Sequence, residues 1–325
     1  MAIAHGRTNT RLRSQMIRAA AALGALAFAT GTAAAQTYGF ATLPPGTLNH
    51  TTATAIAKVL KEKAGLNVLV QPSAGDQVII PMVDRGEAEI GISNVMEVAD
   101  GVAGAQKGLR VIAAVHALRT PFFVRKDSGM RTIADLKGKR VSMGYSAMRN
   151  IDKAARAMLA TAGLTEADIK PVLVPNVVRS ADDFIGGAAD MFYFAFGAPK
   201  VREVDATVGG IRVLEMDVGK MADARKIMPY GYATEVTPGP IFIGVEKPMK
   251  VYTFDNLIFT SAKVPDDFVY KVLDALEKNK ADLVAVQPVL REFTPAFAYK
   301  QYNIPYHPGA VKYYTEHNIK PSALQ

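Results

Sequence analysis

The sequence predicts an α/β protein of two lobes, joined by a two-segment hinge with a ligand cleft between them. Three observations carry this. Strand-like and helix-like runs alternate at close spacing over residues 37–92, the pattern of a parallel sheet with helices on its faces. The alternation starts again over residues 140–214. A strong strand, Asn256–Ala262, then follows a looser segment holding Pro238, Pro240 and Pro248, as expected where the chain returns to its first sheet. The expected division is 1–35 as a leader, 36–123 plus 253–325 as lobe I, and 124–252 as lobe II. Two crossings of this kind make a hinge that can close on a ligand.

The elements follow in order. Thr37–Thr42 reads as a strand, and Leu43-Pro44-Pro45-Gly46-Thr47-Leu48-Asn49 as a turn-rich loop. From about His50 to Lys63, Ala53, Ile56, Ala57 and Leu60 recur at helical spacing, marking one buried face, and Gly65 closes the helix. Asn67–Gln71 is the next strand. Asp76 is placed to cap a helix over Gln77–Arg85, Gly86 ends it, and Ala88–Ile92 is a third strand. Arg110–His116 and Phe122–Arg125 are further strands.

The second lobe is organised around Gly138–Asp152: a short buried strand (Val141–Met143), a tight turn at Gly144, and a helix running to about Thr161. Such a handover presents unpaired N–H groups and the positive end of a helix dipole, which suits an anion. Arg149 stands in the first turn, where a cation is locally unfavourable unless something negative meets it. It is either a clamp for an anionic ligand or a solvated arginine. Strands at Lys170–Val174, Asp190–Phe194 and Ile211–Leu214 alternate with helices at Ser180–Ile185 and Pro199–Ala206. Val264-Pro265-Asp266-Asp267 starts a helix over Phe268–Lys278, and more helix is expected around Lys280–Pro288 and Gly309–His317.

The first 35 residues are expected to be removed. Arg7, Arg11, Arg13 and Arg18 precede or enter the apolar run Met16–Phe28, and Ala33-Ala34-Ala35 offers a small-residue cleavage site, the pattern of a secretory signal peptide. The product is expected in the periplasm. Loss of the four leader arginines lowers the formal charge from +8 to +4. The remaining basic residues are scattered, without the clusters of a nucleic-acid binder. With no cysteine in the chain, an exported protein has no disulfide framework and relies on its core.

Four segments carry a family resemblance: Pro45-Gly46-Thr47, the Gly86-Glu87-Ala88-Glu89-Ile90-Gly91-Ile92 strand entry, the run from Ile133 through Leu136-Lys137-Gly138 to Val141, and Asp190 through Gly197-Ala198-Pro199. In this order and spacing the chain resembles the TAXI (TRAP-associated extracytoplasmic immunogenic) solute receptors of tripartite ATP-independent (TRAP) transporters. The resemblance implies a type II periplasmic-binding-protein fold that captures a small organic anion (a carboxylate, oxo-acid or amino acid) as a monomer and delivers it to membrane permease subunits. It implies ligand contacts from Gly46, Thr47 and Asn49, from Asn94, and from the helix start Ser146–Asn150. There, Met148-Arg149-Asn150 replaces the small residues the family has, which narrows the pocket and adds a guanidinium suited to a carboxylate. Tyr193 and Phe196 either pack on the ligand skeleton or fill the core.

Other chemistry finds little support. His50, His116, His307 and His317 are scattered, with no pair at helical spacing for a metal. Gly144-Tyr145-Ser146-Ala147-Met148 sits where a nucleophile elbow would but lacks its second glycine, so a hydrolase using Ser146 is the alternative of a different class. A ligand sensor for a membrane receptor is the third. No G-x-G-x-x-G follows the first strand, which argues against a dinucleotide fold, and no cofactor is expected.

Overall fold

A computed structural model describes residues 1–2 and 36–324. The expected leader and its cleavage site after Ala35 lie outside the described residues. The first part of the chain forms β1 (Thr37–Thr42), α1 (Leu48–Ala64), β2 (Asn67–Pro72), α2 (Asp76–Arg85), β3 (Ile90–Asn94), α3 (Val95–Ala103) and β4 (Leu109–Arg119). The middle forms β5 (Phe122–Arg125), β6 (Arg140–Met143), α4 (Arg149–Thr161), β7 (Lys170–Leu173), α5 (Val177–Ile185), β8 (Met191–Tyr193), α6 (Pro199–Val208), β9 (Ile211–Val213) and α7 (Met221–Ile227). The last part forms β10 (Tyr232–Val236), β11 (Met249–Ser261), α8 (Asp266–Lys278), α9 (Lys280–Val286), α10 (Pro295–Ala298) and α11 (Pro308–Glu316).

These strands make two sheets. The first runs β10-β11-β3-β1-β2, with β4 also paired to β11. Within it β1 is parallel to β2 and β3, while β11 runs antiparallel to β3, β4 and β10. The second runs β7-β6-β8-β5-β9, with β6 parallel to both neighbours and β5 antiparallel to both of its own. The chain leaves the first sheet through Thr120-Pro121 and is back in it by Tyr232, because β10 pairs along β11 from Tyr232↔Thr253 to Val236↔Met249. Four of these elements were not expected from the sequence: the helices α3, α7 and α10 and the strand β10.

Local signals explain most boundaries. The Thr47 hydroxyl accepts from His50 N at 3.2 Å and so caps α1. Gly65 ends that helix in the left-handed region at φ 65°. One buried cluster lies between the first sheet and α1, α8 and α11, built on Phe40, Ile56, Leu60, Ile258, Leu273 and Tyr314. A second runs from α2 and α3 across into the second sheet, through Ile79, Val83, Phe123, Met143, Phe192 and Val213. The apolar content is thus shared between the halves, and their facing surfaces are in contact.

That contact is direct. Gln77 N donates to Ala147 O at 3.3 Å, Lys200 N to Gly46 O at 3.2 Å, and Asn176 Nδ2 to Ala74 O at 3.4 Å. At Gly75 the backbones come so close that a Cβ there would sit 2.0 Å from Ala147 O. Glycine is required here for proximity.

Candidate functional site

A cavity lies between the sheets where strand ends hand over to helices, with about 430 Å³ of space not filled by protein, its mouth included. Open α/β sheets place ligand sites at this end of their strands. From the first half come Leu43, Thr47, Leu48, Asn49, Asp76, Asn94 and Leu118; from the second, Met148, Ile151, Val177, Tyr193, Phe194 and Ala195. Thr120 at the crossing and Phe254 on β11 close the back.

Several polar groups here are already committed to the fold. Thr47 Oγ1 donates to Pro44 O at 2.7 Å besides capping α1. Tyr193 OH donates to Thr120 Oγ1 at 2.7 Å. Asn49 Oδ1 accepts from Asn256 Nδ2 at 3.1 Å, and Asn256 Nδ2 also meets His116 Nε2 at 3.3 Å. Burial lowers the His116 imidazole to about 4, so this backing is uncharged at neutral pH. Asn94 Oδ1 accepts from Glu97 N at 3.0 Å and caps α3. The side-chain nitrogens of Asn49 and Asn94 bond no described residue, which leaves two amide donors beside the cavity.

Among the described residues Asp76 is the one carboxylic acid in the lining, and it is 1% exposed. It occupies the first position of α2 after Gly75, and Ser93 Oγ donates to its Oδ1 at 2.5 Å. Burial, and then the nearby Glu97, push its carboxyl well above the usual carboxylate range, against the pull of the Ser93 bond. The folded chain therefore holds a proton that the unfolded chain has released once pH exceeds 3.8. By linkage this group makes stability fall as pH rises from there through the raised pKa. Asp76→Asn keeps an acceptor for Ser93 but cannot ionise, so its stability advantage over wild type is expected to grow as pH rises above about 4. Urea denaturation at a series of pH values checks this; a gap that is flat with pH would show Asp76 to be ordinary.

The helix mouth of α4 is occupied by the protein itself. Glu97 Oε1 accepts from Asn150 N at 2.9 Å, while Asp100 Oδ2 accepts from Asn150 Nδ2 at 3.1 Å and from Lys153 Nζ at 2.6 Å. Burial raises the Glu97 carboxyl, with the Asn150 bonds opposing it. A carboxylate at a helix N-terminus is favourable, and this one comes from across the interface.

Of the residues expected from the sequence, Thr47, Asn49, Asn94, Met148 and Tyr193 come together in the cavity. The others do not. Gly46, at φ 89°, contributes its carbonyl to Lys200 N and is not part of the lining. Ser146 is exposed, with its N–H on Val174 O; a Ser146 nucleophile would need a histidine beside it, and His307 and His317 bond Val264 O and Tyr313 O. Phe196 is buried against Phe123 and Phe242, at ring distances of 5.4 and 5.2 Å, and faces a different hollow beside Arg119 and Val289. Asn150 and Arg149 border an outer hollow with Glu97 and Asp100. Arg149 is exposed and outside the cavity lining, and the helix mouth beside it is already taken by the Glu97 carboxyl on Asn150 N. Arg149→Ala is accordingly expected to change ligand affinity by less than about threefold, against the roughly 1.5–3 kcal/mol of a direct charged hydrogen bond; calorimetry distinguishes the two.

The sequence reading did not place Asp76, Leu118, Thr120, Ile151, Val177 or Phe254 in the site. For Asp76 a signal existed, since the Ser73-Ala74-Gly75-Asp76 turn joins a strand to a helix as the Pro45-Gly46-Thr47 loop does.

Two facing α/β halves with a cavity at their strand ends have the periplasmic-binding-protein fold. The chain belongs to the NMT1-like family, whose model matches residues 40–317. Similar solved structures include PhnD1 from Prochlorococcus marinus in complex with methylphosphonate, with 10% identity and TM-score 0.56 over 87% of this chain and 99% of that one. A binding protein component of an ABC phosphonate transporter from Pseudomonas aeruginosa has 11% identity and TM-score 0.53 over 78% of each chain. The alkanesulfonate-binding protein SsuA from Xanthomonas axonopodis pv. citri, bound to MOPS, has 16% identity and TM-score 0.50 over 89% and 95%. At these identities the likeness is one of fold.

Proposed function

We propose that this chain is an exported solute-binding protein that captures a small molecule between its two halves and hands it to a membrane transporter. The observation that carries the reading is the cavity itself. It is assembled from both halves, bounded by interfacial contacts at Gly75, Gln77 and Asn150, and supplied with amide donors that the fold does not use. A ligand bound there touches both halves at once, so it favours the closed arrangement by its differential contacts. The resemblance to TAXI receptors supports a TRAP permease as the partner, and the fold is equally that of binding proteins of ABC systems.

The ligand class needs revision. An organic anion clamped by Arg149 is not supported, since among the described residues no lysine, arginine or histidine lines the cavity. A carboxylate, if present, would be received by the Asn49 and Asn94 amides.

Thermal unfolding against amino acids, amines, carboxylates, oxo-acids, sulfonates and phosphonates at millimolar concentration tests the reading. A solute at about a hundredfold excess over Kd adds about 2.7 kcal/mol and raises the midpoint by several degrees. No rise with any compound would count against a solute-binding role.

A further inference from the structure

We infer that the cavity selects a solute bearing a protonated amine, and that Asp76 is the group that receives it. This deepens the solute-binding reading and rests on it.

Asp76 is almost completely buried, and among the described residues the cavity lining offers it no cation. Ser93 is its one side-chain partner among the described residues, and the residue's own backbone N–H also bonds the carboxyl. The nearest charged group makes ionisation harder, since Glu97 on α3 adds like charge. On its other side Asp76 also borders the outer hollow with Asp100, Arg149 and Lys153, where Lys153 is paired to Asp100 at 2.6 Å. A buried carboxyl with one neutral side-chain partner and an acidic neighbour is unfavourable in the empty protein. An ammonium in the cavity supplies the missing partner, and the pair then forms where water is excluded. An anion in the same place meets Asp76 and Glu97 without a compensating charge.

The rest of the lining fits such a solute. The spare amide nitrogens of Asn49 and Asn94 suit a carboxylate or carbonyl, while Leu43, Leu118, Ile151, Val177 and Phe254 suit a short apolar skeleton. The ligand class that satisfies all three is an amino acid or related amine with a small apolar side chain.

Calorimetry with matched probes separates the possibilities: the apolar amino acids, their deamino acids (L-leucine against 4-methylpentanoate) and their decarboxylated amines (3-methylbutylamine). An amine-bearing probe is expected to bind at least about tenfold tighter than its deamino counterpart and to lose about tenfold or more in Asp76→Asn. Its affinity is expected to rise as pH increases above the ordinary carboxylate range, because Asp76 must release its proton to pair with an ammonium. The probe comparison and the pH trend use the wild-type protein and hold even if the variant fails to fold. Deamino acids that bind as tightly as their amino counterparts, or affinity that falls with pH, would overturn the assignment while leaving a solute-binding protein. Failure of every amine while sulfonates or phosphonates bind would do the same. Failure of all classes would overturn both readings.

Discussion

Gly75→Ala is expected to hold the two halves apart and to lower ligand affinity about a hundredfold, or about 2.7 kcal/mol. The added Cβ would lie 2.0 Å from Ala147 O, 2.6 Å from its carbonyl carbon and 2.8 Å from its Cβ, where contacts under 3.0 Å essentially never occur. The obstruction is backbone, and that backbone is fixed: Ala147 N donates to Pro175 O at 3.0 Å, and Ala147 O accepts from Gln77 N. Relief therefore requires the halves to separate. Separation stretches the neighbouring bonds from Glu97 to Asn150 N and from Asp100 to Asn150 and Lys153, and hydrogen bonds to charged groups carry about 1.5–3 kcal/mol each. A ligand then finds only one half of its site. Calorimetry reads the loss, and small-angle scattering at saturating ligand should give a larger radius of gyration than wild type. Affinity and radius both unchanged would mean that the Gly75–Ala147 approach has no part in closure.

This contact also marks where sequence reasoning stops. The alternation of strands and helices was legible because it rests on local periodicity and on glycine caps such as Gly65 and Gly86. Thr47, Asn49 and Asn94 came from the resemblance to TAXI receptors and all three line the cavity, although Thr47 and Asn94 serve as helix caps as well. The helix-mouth argument at Arg149 identified a real electrostatic need but not what meets it. Glu97 lies 53 positions away in sequence, and no local pattern joins it to Asn150. Asp76 read as a cap because a helix start explains an aspartate without any cavity; its burial depends on Ser93 and on the second half packing over it. Leu118, Thr120 and Phe254 owe their place to the chain crossing between sheets, which only tertiary structure sets.

The largest stability effect is expected at Asp255, on β11. Its carboxylate is 4% exposed and accepts from Lys300 Nζ at 2.7 Å, Tyr302 OH at 2.5 Å and Tyr232 OH at 2.7 Å. Lys300 is 5% exposed, and its ammonium also stands 3.8 Å over the Phe297 ring. The network ties β10 and the segment after α10 to the long strand that carries Phe254 into the cavity. Asp255→Ala removes the acceptor and leaves Lys300 buried without its counter-charge, a change that costs about 3–5 kcal/mol in buried pairs. Asp255→Leu combined with Lys300→Met should recover most of that loss, because two apolar side chains carry no desolvation penalty. Urea denaturation followed by tyrosine fluorescence measures both, the chain having 12 tyrosines and no tryptophan. A single substitution costing under about 1 kcal/mol would mean that water reaches Lys300 and the pair behaves as a surface one. A double variant as unstable as the single would instead place the stabilisation in the Tyr232 and Tyr302 hydrogen bonds, which it also breaks.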